Sequence, residues 1–227
     1  MKTIKILLGC ILIIAVTSAG CKTMNKSQKG AVIGAVGGGV VGAVIGKVTG
    51  NTALGAIIGA TVGGVSGAII GRQMDKQAEE MKKNFPDAQV IRVEEGIVLE
   101  FSNKILFGFD QSDLSAEAKT SLDKLVAILQ KYPDTNIEVQ GHTDSKGSTN
   151  YNQSLSERRA STVSYYLSGK GITATRLTIH GFGESIPKYT NTTTDGQEQN
   201  RRVEFLVSAN EKMKADAAKE AEKNGGQ

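Results

Sequence analysis

Between residues 30 and 72 a glycine recurs at every fourth position. Gly30, Gly34, Gly38, Gly42, Gly46 and Gly50 form one series, and Gly55, Gly59, Gly63, Gly67 and Gly71 form a second, with Ala, Val and Ile between them. A spacing of four puts residues on one face of an α-helix, so the pattern predicts two helices, each with a face bare of side chains. Bare faces let two backbones approach closely, as helices do in a membrane. In water each glycine would cost about 1 kcal/mol against alanine, whereas in lipid the backbone has no water to bond instead. Lys29 and Arg72 frame the region, Lys47 marks the turn KVTGNT, and no charge falls within 30–46 or 48–71. The expectation is an antiparallel helical hairpin over 30–72. At about 1.5 Å per residue its arms reach about 25 to 30 Å, marginal for a full span. A flexible Gly-rich linker is the competing reading, and a strict period argues against it, since a linker needs none. Gly37, Gly39 and Gly42 satisfy GxGxxG, but no strand precedes them and they lie inside the repeat, so the dinucleotide reading is set aside.

Residues 1–20 read as a targeting segment. Lys2 and Lys5 form a short basic region, Ile6 to Val16 is an apolar run too short for a stable span, and Ser18, Ala19 and Gly20 precede Cys21. This arrangement resembles the lipobox of bacterial lipoproteins, which implies cleavage before Cys21 and acylation of its thiol. Residues 21–29 would then be a lipidated linker. Loss of Cys10 with the leader would leave no partner for a disulfide. Lys22 stands where the inner-membrane retention rule wants Asp, so the resemblance implies delivery to the outer membrane.

The remaining chain has ordinary globular composition. The stretch 73–87 is rich in charge and reads as a solvated stalk ending near Pro86. Residues 89–109 alternate around Glu95-Gly96 and predict a strand hairpin. Ser115 can cap a helix whose stripe is Ala118, Leu122, Leu125, Val126 and Leu129, ending before Pro133. NIEVQGH reads as a strand, Asn152 to Leu167 as a second helix, RLTIHGFG and NRRVEFLVS as further strands. The fold class expected for 88–210 is α+β, a β-α-β-α-β-β sandwich with helices on one sheet face. The tail 211–227 carries four acids, four lysines and no evident stripe, and is expected to fray.

One residue breaks the pattern of the second helix. Asn152, Leu155, Arg159, Val163 and Tyr166 share a face, which puts a guanidinium on the buried side, and arginine is seldom fully buried unless paired. Asp144 leaves the end of the preceding strand and can supply the counter-charge. The two then form either an internal salt bridge or the halves of a receptor.

The run GHTDSKGSTNYNQSLSERRASTVSYYL, with RLTIHGFGESIP and NRRVEF behind it, resembles the OmpA-like C-terminal domain over about residues 88–208, a peptidoglycan-binding module. With the lipobox and glycine repeat, the whole chain resembles YiaD-like lipoproteins. The resemblance implies that Asp144 takes the ammonium and Arg159 the carboxylate of meso-diaminopimelate in the peptide stem. It also implies that Asn152, Asn200 and Arg201 line the groove and that Phe109 and Asp110 stand at its entrance. The arginine fork suits a carboxylate.

Other classes lack their parts. No GxSxG, HExxH or CxxC occurs, and His142 and His180, each beside a glycine at a strand end, read as structural hydrogen-bonders. The net charge of +4 is too mild to imply nucleic acid. No cofactor is expected, and no enzyme activity. Two roles remain: a tether between the outer membrane lipid and the wall, or an oligomeric membrane element built from the glycine helices and positioned by the wall-binding domain.

Overall fold

The computed structural model describes residues 64–107 and 111–225. The leader, Cys21, the glycine repeat as far as Gly63, Phe109 and Asp110 lie outside the described residues.

Five strands form one sheet: β1 (Gln89–Val93), β2 (Gly96–Ser102), β3 (Thr135–Gly141), β4 (Leu177–Gly181) and β5 (Arg202–Ala209), in the order β1-β2-β5-β3-β4. All neighbours are antiparallel except β3 and β4, whose parallel pairing is made by a crossover helix. Around the sheet run α1 (Gly64–Asn84), the single-turn α2 (Asn103–Leu106), α3 (Ala116–Lys131), α4 (Thr149–Gly169), α5 (Thr194–Asn200) and α6 (Glu211–Gly225).

The sheet has two unlike faces because side chains alternate along a strand. Leu99, Val139 and Phe205 stand in register across β2, β3 and β5 on the face covered by helices. The α3 stripe packs there, with Ala118, Leu122, Leu125, Val126 and Leu129 all buried. Ser115 caps that helix as expected, its side chain accepting from the Ala118 N–H at 2.9 Å. The opposite face carries Glu100, Glu138, Gln140, Arg202 and Glu204, and it too is largely buried.

The stretch expected as a solvated stalk is instead part of the domain. In α1 the side chains of Ile70, Met74, Ala78 and Met81 are buried in the main core. Their spacing is helical, but lone Met and Ala residues among many charges give a weak signal. Arg92 ties this helix to the hairpin, its Nε donating to Asp75 at 2.9 Å and an NH2 to the Gly71 carbonyl at 3.2 Å. Gly71, counted with the membrane repeat, therefore lies against β1. The tail differs likewise: α6 is a helix lying against α1, with Met213 and Ala217 buried and Ala221 partly so. Here again small side chains hid the stripe. Among the described residues no helix is long and apolar enough to cross a membrane.

Candidate functional site

The site is built where β3 ends. Gly141 is its last residue, and a Cβ there would stand 2.2 Å from the Ser156 carbonyl oxygen. Gly181, its neighbour on β4, would meet the Glu157 amide at 2.6 Å. Only glycine lets α4 lie this close to the sheet, and that approach carries Asn152, Leu155 and Arg159 toward the strand end. Ser148 starts α4, its hydroxyl accepting from the Tyr151 N–H at 3.2 Å.

Beyond Gly141 the chain is held by His142 N–H on the Arg202 carbonyl at 3.0 Å and Thr143 N–H on the Gly183 carbonyl at 2.8 Å. Asp144 is thereby fixed and buried. Its Oδ1 accepts from the Lys146 N–H at 2.9 Å and its Oδ2 from Arg201 at 2.5 Å. Among the described residues, then, the ion pair of Asp144 is with Arg201. Arg159 is 2% exposed; its Nε donates to the Gln111 carbonyl at 2.9 Å and its guanidinium lies 5.5 Å from the centre of the Phe107 ring, a cation–π distance. Asn152 donates to Glu184 at 2.6 Å and to the Asp144 carbonyl at 3.3 Å.

Asp144, Asn152, Arg159 and Arg201 all line one cavity of about 210 Å³. The internal salt bridge between Asp144 and Arg159 is replaced by two separately held charges on a shared wall. Asn200 is not in that wall. Its Oδ1 accepts from the amides of Lys188 and Tyr189, both at 2.9 Å, and its Nδ2 donates to Tyr189 and Asn191, so it fastens the loop before α5. Asn103, Lys146 and Tyr151 also line the cavity; no periodicity marks them, because a one-turn helix, a loop and the first turn of α4 bring them there.

Neither histidine acts as a hydrogen-bonder in the expected way. Both ring nitrogens of His142 are buried without a partner. The ring stacks on Phe182, centroids 5.4 Å apart, with Glu204 at 4.0 Å. Burial foremost, then the charges of Arg202 and Lys188, hold its pKa well below the ordinary value and keep it neutral. His180 is half exposed, 3.9 Å from Glu138. Among the described residues no His, Cys, Asp or Glu cluster is arranged to hold a metal.

Known proteins resemble this chain in sequence and fold. The OmpA family matches residues 106–201, and the YMGG-like Gly-zipper matches residues 1–75. The outer-membrane lipoprotein YfiB of Pseudomonas aeruginosa is 35% identical over 51% of this chain and 69% of its own length. The peptidoglycan-associated lipoprotein of Pasteurella multocida is 36% identical over 44% and 67%. The structure of the cell wall anchor of the T6SS from Pseudomonas aeruginosa superposes with a TM-score of 0.53 at 26% identity, covering 60% of this chain and 96% of that one. The chain spans only 16% to 54% of the first four curated relatives it matches, the last being the probable lipoprotein YiaD of Escherichia coli. The family match over 106–201, the α+β order and the extent of the YfiB match lead to one conclusion: the chain belongs to the OmpA family.

Proposed function

We propose that this protein is a non-enzymatic anchor, joining the outer membrane to peptidoglycan by binding the diaminopimelate of the peptide stem. The observation that carries the reading is the cavity at the end of β3, with Asp144 and Arg159 on one wall. A guanidinium matches a carboxylate in shape and charge. The Asp144 carboxylate accepts two donors within the protein, out of about four lone-pair sites, so it retains capacity for an ammonium. Arg201 then positions Asp144, and Asn152 braces the loop. Relatives named for the outer membrane, the wall or peptidoglycan support the same role.

The membrane end rests on sequence. Cys21 is the proposed lipidation site, and more than one acyl chain is needed for stable anchoring. Cys21→Ser should shift the protein out of the membrane fraction; equal membrane recovery and an unmodified thiol in the parent would end that part. The glycine repeat and its family match favour a second role, self-association in the membrane. Gly38→Leu with Gly63→Leu should abolish crosslinked oligomers while leaving wall binding intact.

The central test is sedimentation of the full-length chain with purified sacculi. Truncating one member of a charge pair at an interface costs about 2 to 5 kcal/mol, and about 1.4 kcal/mol is tenfold in affinity. Asp144→Ala and Arg159→Ala should each weaken binding to diaminopimelate-type sacculi at least about thirtyfold, with lysine-type stems bound poorly by the parent. Folded variants that sediment like the parent would refute the assignment, and soluble muropeptides released by the parent would refute the non-enzymatic reading.

A further inference from the structure

A second concavity lies on the outer side of α4 and adjoins the first. Consecutive residues divide between them: Leu155 and Arg159 line the cavity at the end of β3, while Ser154 and Arg158 line the outer groove. The segment before α3 is split in the same way, the Gln111 carbonyl accepting from Arg159 while Ser112 stands in the groove. The groove is open to solvent and holds about 440 Å³. Along it Ser154, Arg158, Ser161, Thr162 and Tyr165 recur at spacings of three and four, so they form one stripe of the helix, about 16 Å long. Tyr151 continues the stripe toward the cavity, which it also lines.

The chemistry of the groove narrows what fits. Ser112 and the three hydroxyl residues of the stripe each offer a donor and an acceptor. Arg158 is balanced by Glu157, which accepts from Gln153 at 2.7 Å, so the groove does not select a polyanion. Tyr165 is 77% exposed, more than any other large apolar side chain among the described residues. An aromatic ring held out into water suits a partner with a flat apolar face, and Tyr and Arg are the residues that most often carry binding energy at an interface. The sugar rings of an N-acetylated glycan offer such faces, are dense in hydroxyl and amide groups, and carry no charge. We infer that this groove is a glycan subsite, in which Tyr165 stacks on a sugar ring while Arg158 and the hydroxyls bond the groups around it. The wall polymer carries its peptide stems on a glycan of this kind, so a stem seated in the cavity brings its strand alongside α4. The inference rests on the wall-binding reading of that cavity.

The test is titration of the full-length chain with a peptide-free oligomer of N-acetylglucosamine, beside sedimentation with sacculi. The parent should bind the oligomer saturably. Tyr165→Ser should melt with the parent, because the ring lies outside the core, yet bind the oligomer at least about fivefold more weakly, the loss expected of a residue that carries interface energy. Tyr165→Phe keeps the ring and should retain binding. No oligomer binding by the parent overturns the inference, and so does Tyr165→Ser binding the oligomer like the parent. If Tyr165→Ser weakens sacculus binding alone, the groove meets peptide rather than glycan and the inference fails. Arg159→Ala, run beside it, separates the two levels: it should lose sacculi and keep the oligomer. An Arg159→Ala variant that sediments like the parent refutes the reading of the cavity, while the oligomer titration of Tyr165→Ser decides the groove.

Discussion

Two regions of this domain bury charge, and they do so in different ways. Under the loop before α5, Arg202 is 1% exposed and its nitrogens go to Glu204 at 2.7 Å and to the carbonyls of Asn200 and Ile186, while Lys188 meets Glu100 at 2.6 Å nearby. Every one of these contacts is internal. At the end of β3 the charges of Asp144, Arg159 and Arg201 are as deliberately placed, but they border a cavity of about 210 Å³. A buried ion is expensive in either place unless it is well bonded. Burial alone therefore does not distinguish a structural charge from a receiving one; the empty volume beside it does.

The comparison breaks most visibly in paired variants. Arg202→Ala removes the guanidinium that meets the buried Glu204 carboxylate at 2.7 Å, and breaking a buried ion pair costs about 3 to 5 kcal/mol, so melting should fall by about 10 °C or more. Arg159→Ala should shift melting far less while removing wall binding. If both melt equally low in thermal circular dichroism, the two regions do not differ in kind.

Gly141→Ala tests the scaffold of the cavity. Its Cβ would collide with the Ser156 carbonyl, so α4 must move away from β3, at about 1 to 3 kcal/mol. Because Arg159 rides on α4, sacculus binding should weaken beyond what the unfolded fraction explains. Unchanged binding by the folded fraction would show that the placement of Arg159 tolerates that shift.

His142 connects the two regions, lying beside Glu204 and two residues before Asp144. Its folded pKa lies below the unfolded value of about 6.5, so the unfolded state takes up the proton first. Stability contributed by this group is complete above about pH 6.5 and falls as pH drops below it, by up to about 1.4 kcal/mol per pH unit. Chemical denaturation at pH 7.5, 6 and 5 should show the fall, and His142→Phe should flatten it. A parallel slope in the variant would assign the acid sensitivity to other groups.

The smallest effect is expected at Gln77, 1% exposed with both polar atoms unpartnered on the buried face of α1. Gln77→Leu removes two unmet hydrogen-bonding groups without disturbing the cavity, and should raise stability by about 1 kcal/mol with sacculus binding unchanged. A destabilised variant would show that the amide has a partner in solution.

Legibility in the sequence followed side-chain size. The α3 stripe and its Ser115 cap were readable because large aliphatic residues recur at helical spacing with a hydroxyl just ahead. The hairpin was readable from alternation, but its turn falls one residue before Glu95-Gly96: Val93 pairs with Gly96, the first residue of β2, and Glu94 and Glu95 make the turn. The packing of α1 and α6 was not, because Met and Ala among lysines and glutamates resemble a solvated helix until a surface is found for them. Thr193 caps the short α5, an element with too few apolar residues to announce itself.

The sequence alone determined the five strands with α3 and α4 in their order, and the neighbourhood of Asp144, Asn152 and Arg159, because each depends on periodicity or on residue type at fixed spacing. Only the tertiary structure decided that Asp144 pairs with Arg201, that Asn200 turns away to fasten a loop, and that Asn103 joins the lining of the cavity. Those outcomes depend on which residues meet across separations of 57, 11 and 12 positions or more in the chain, or across a wall that β2, β3 and α4 build together. No local pattern encodes such meetings, because they are settled when the sheet and helices close on a shared core.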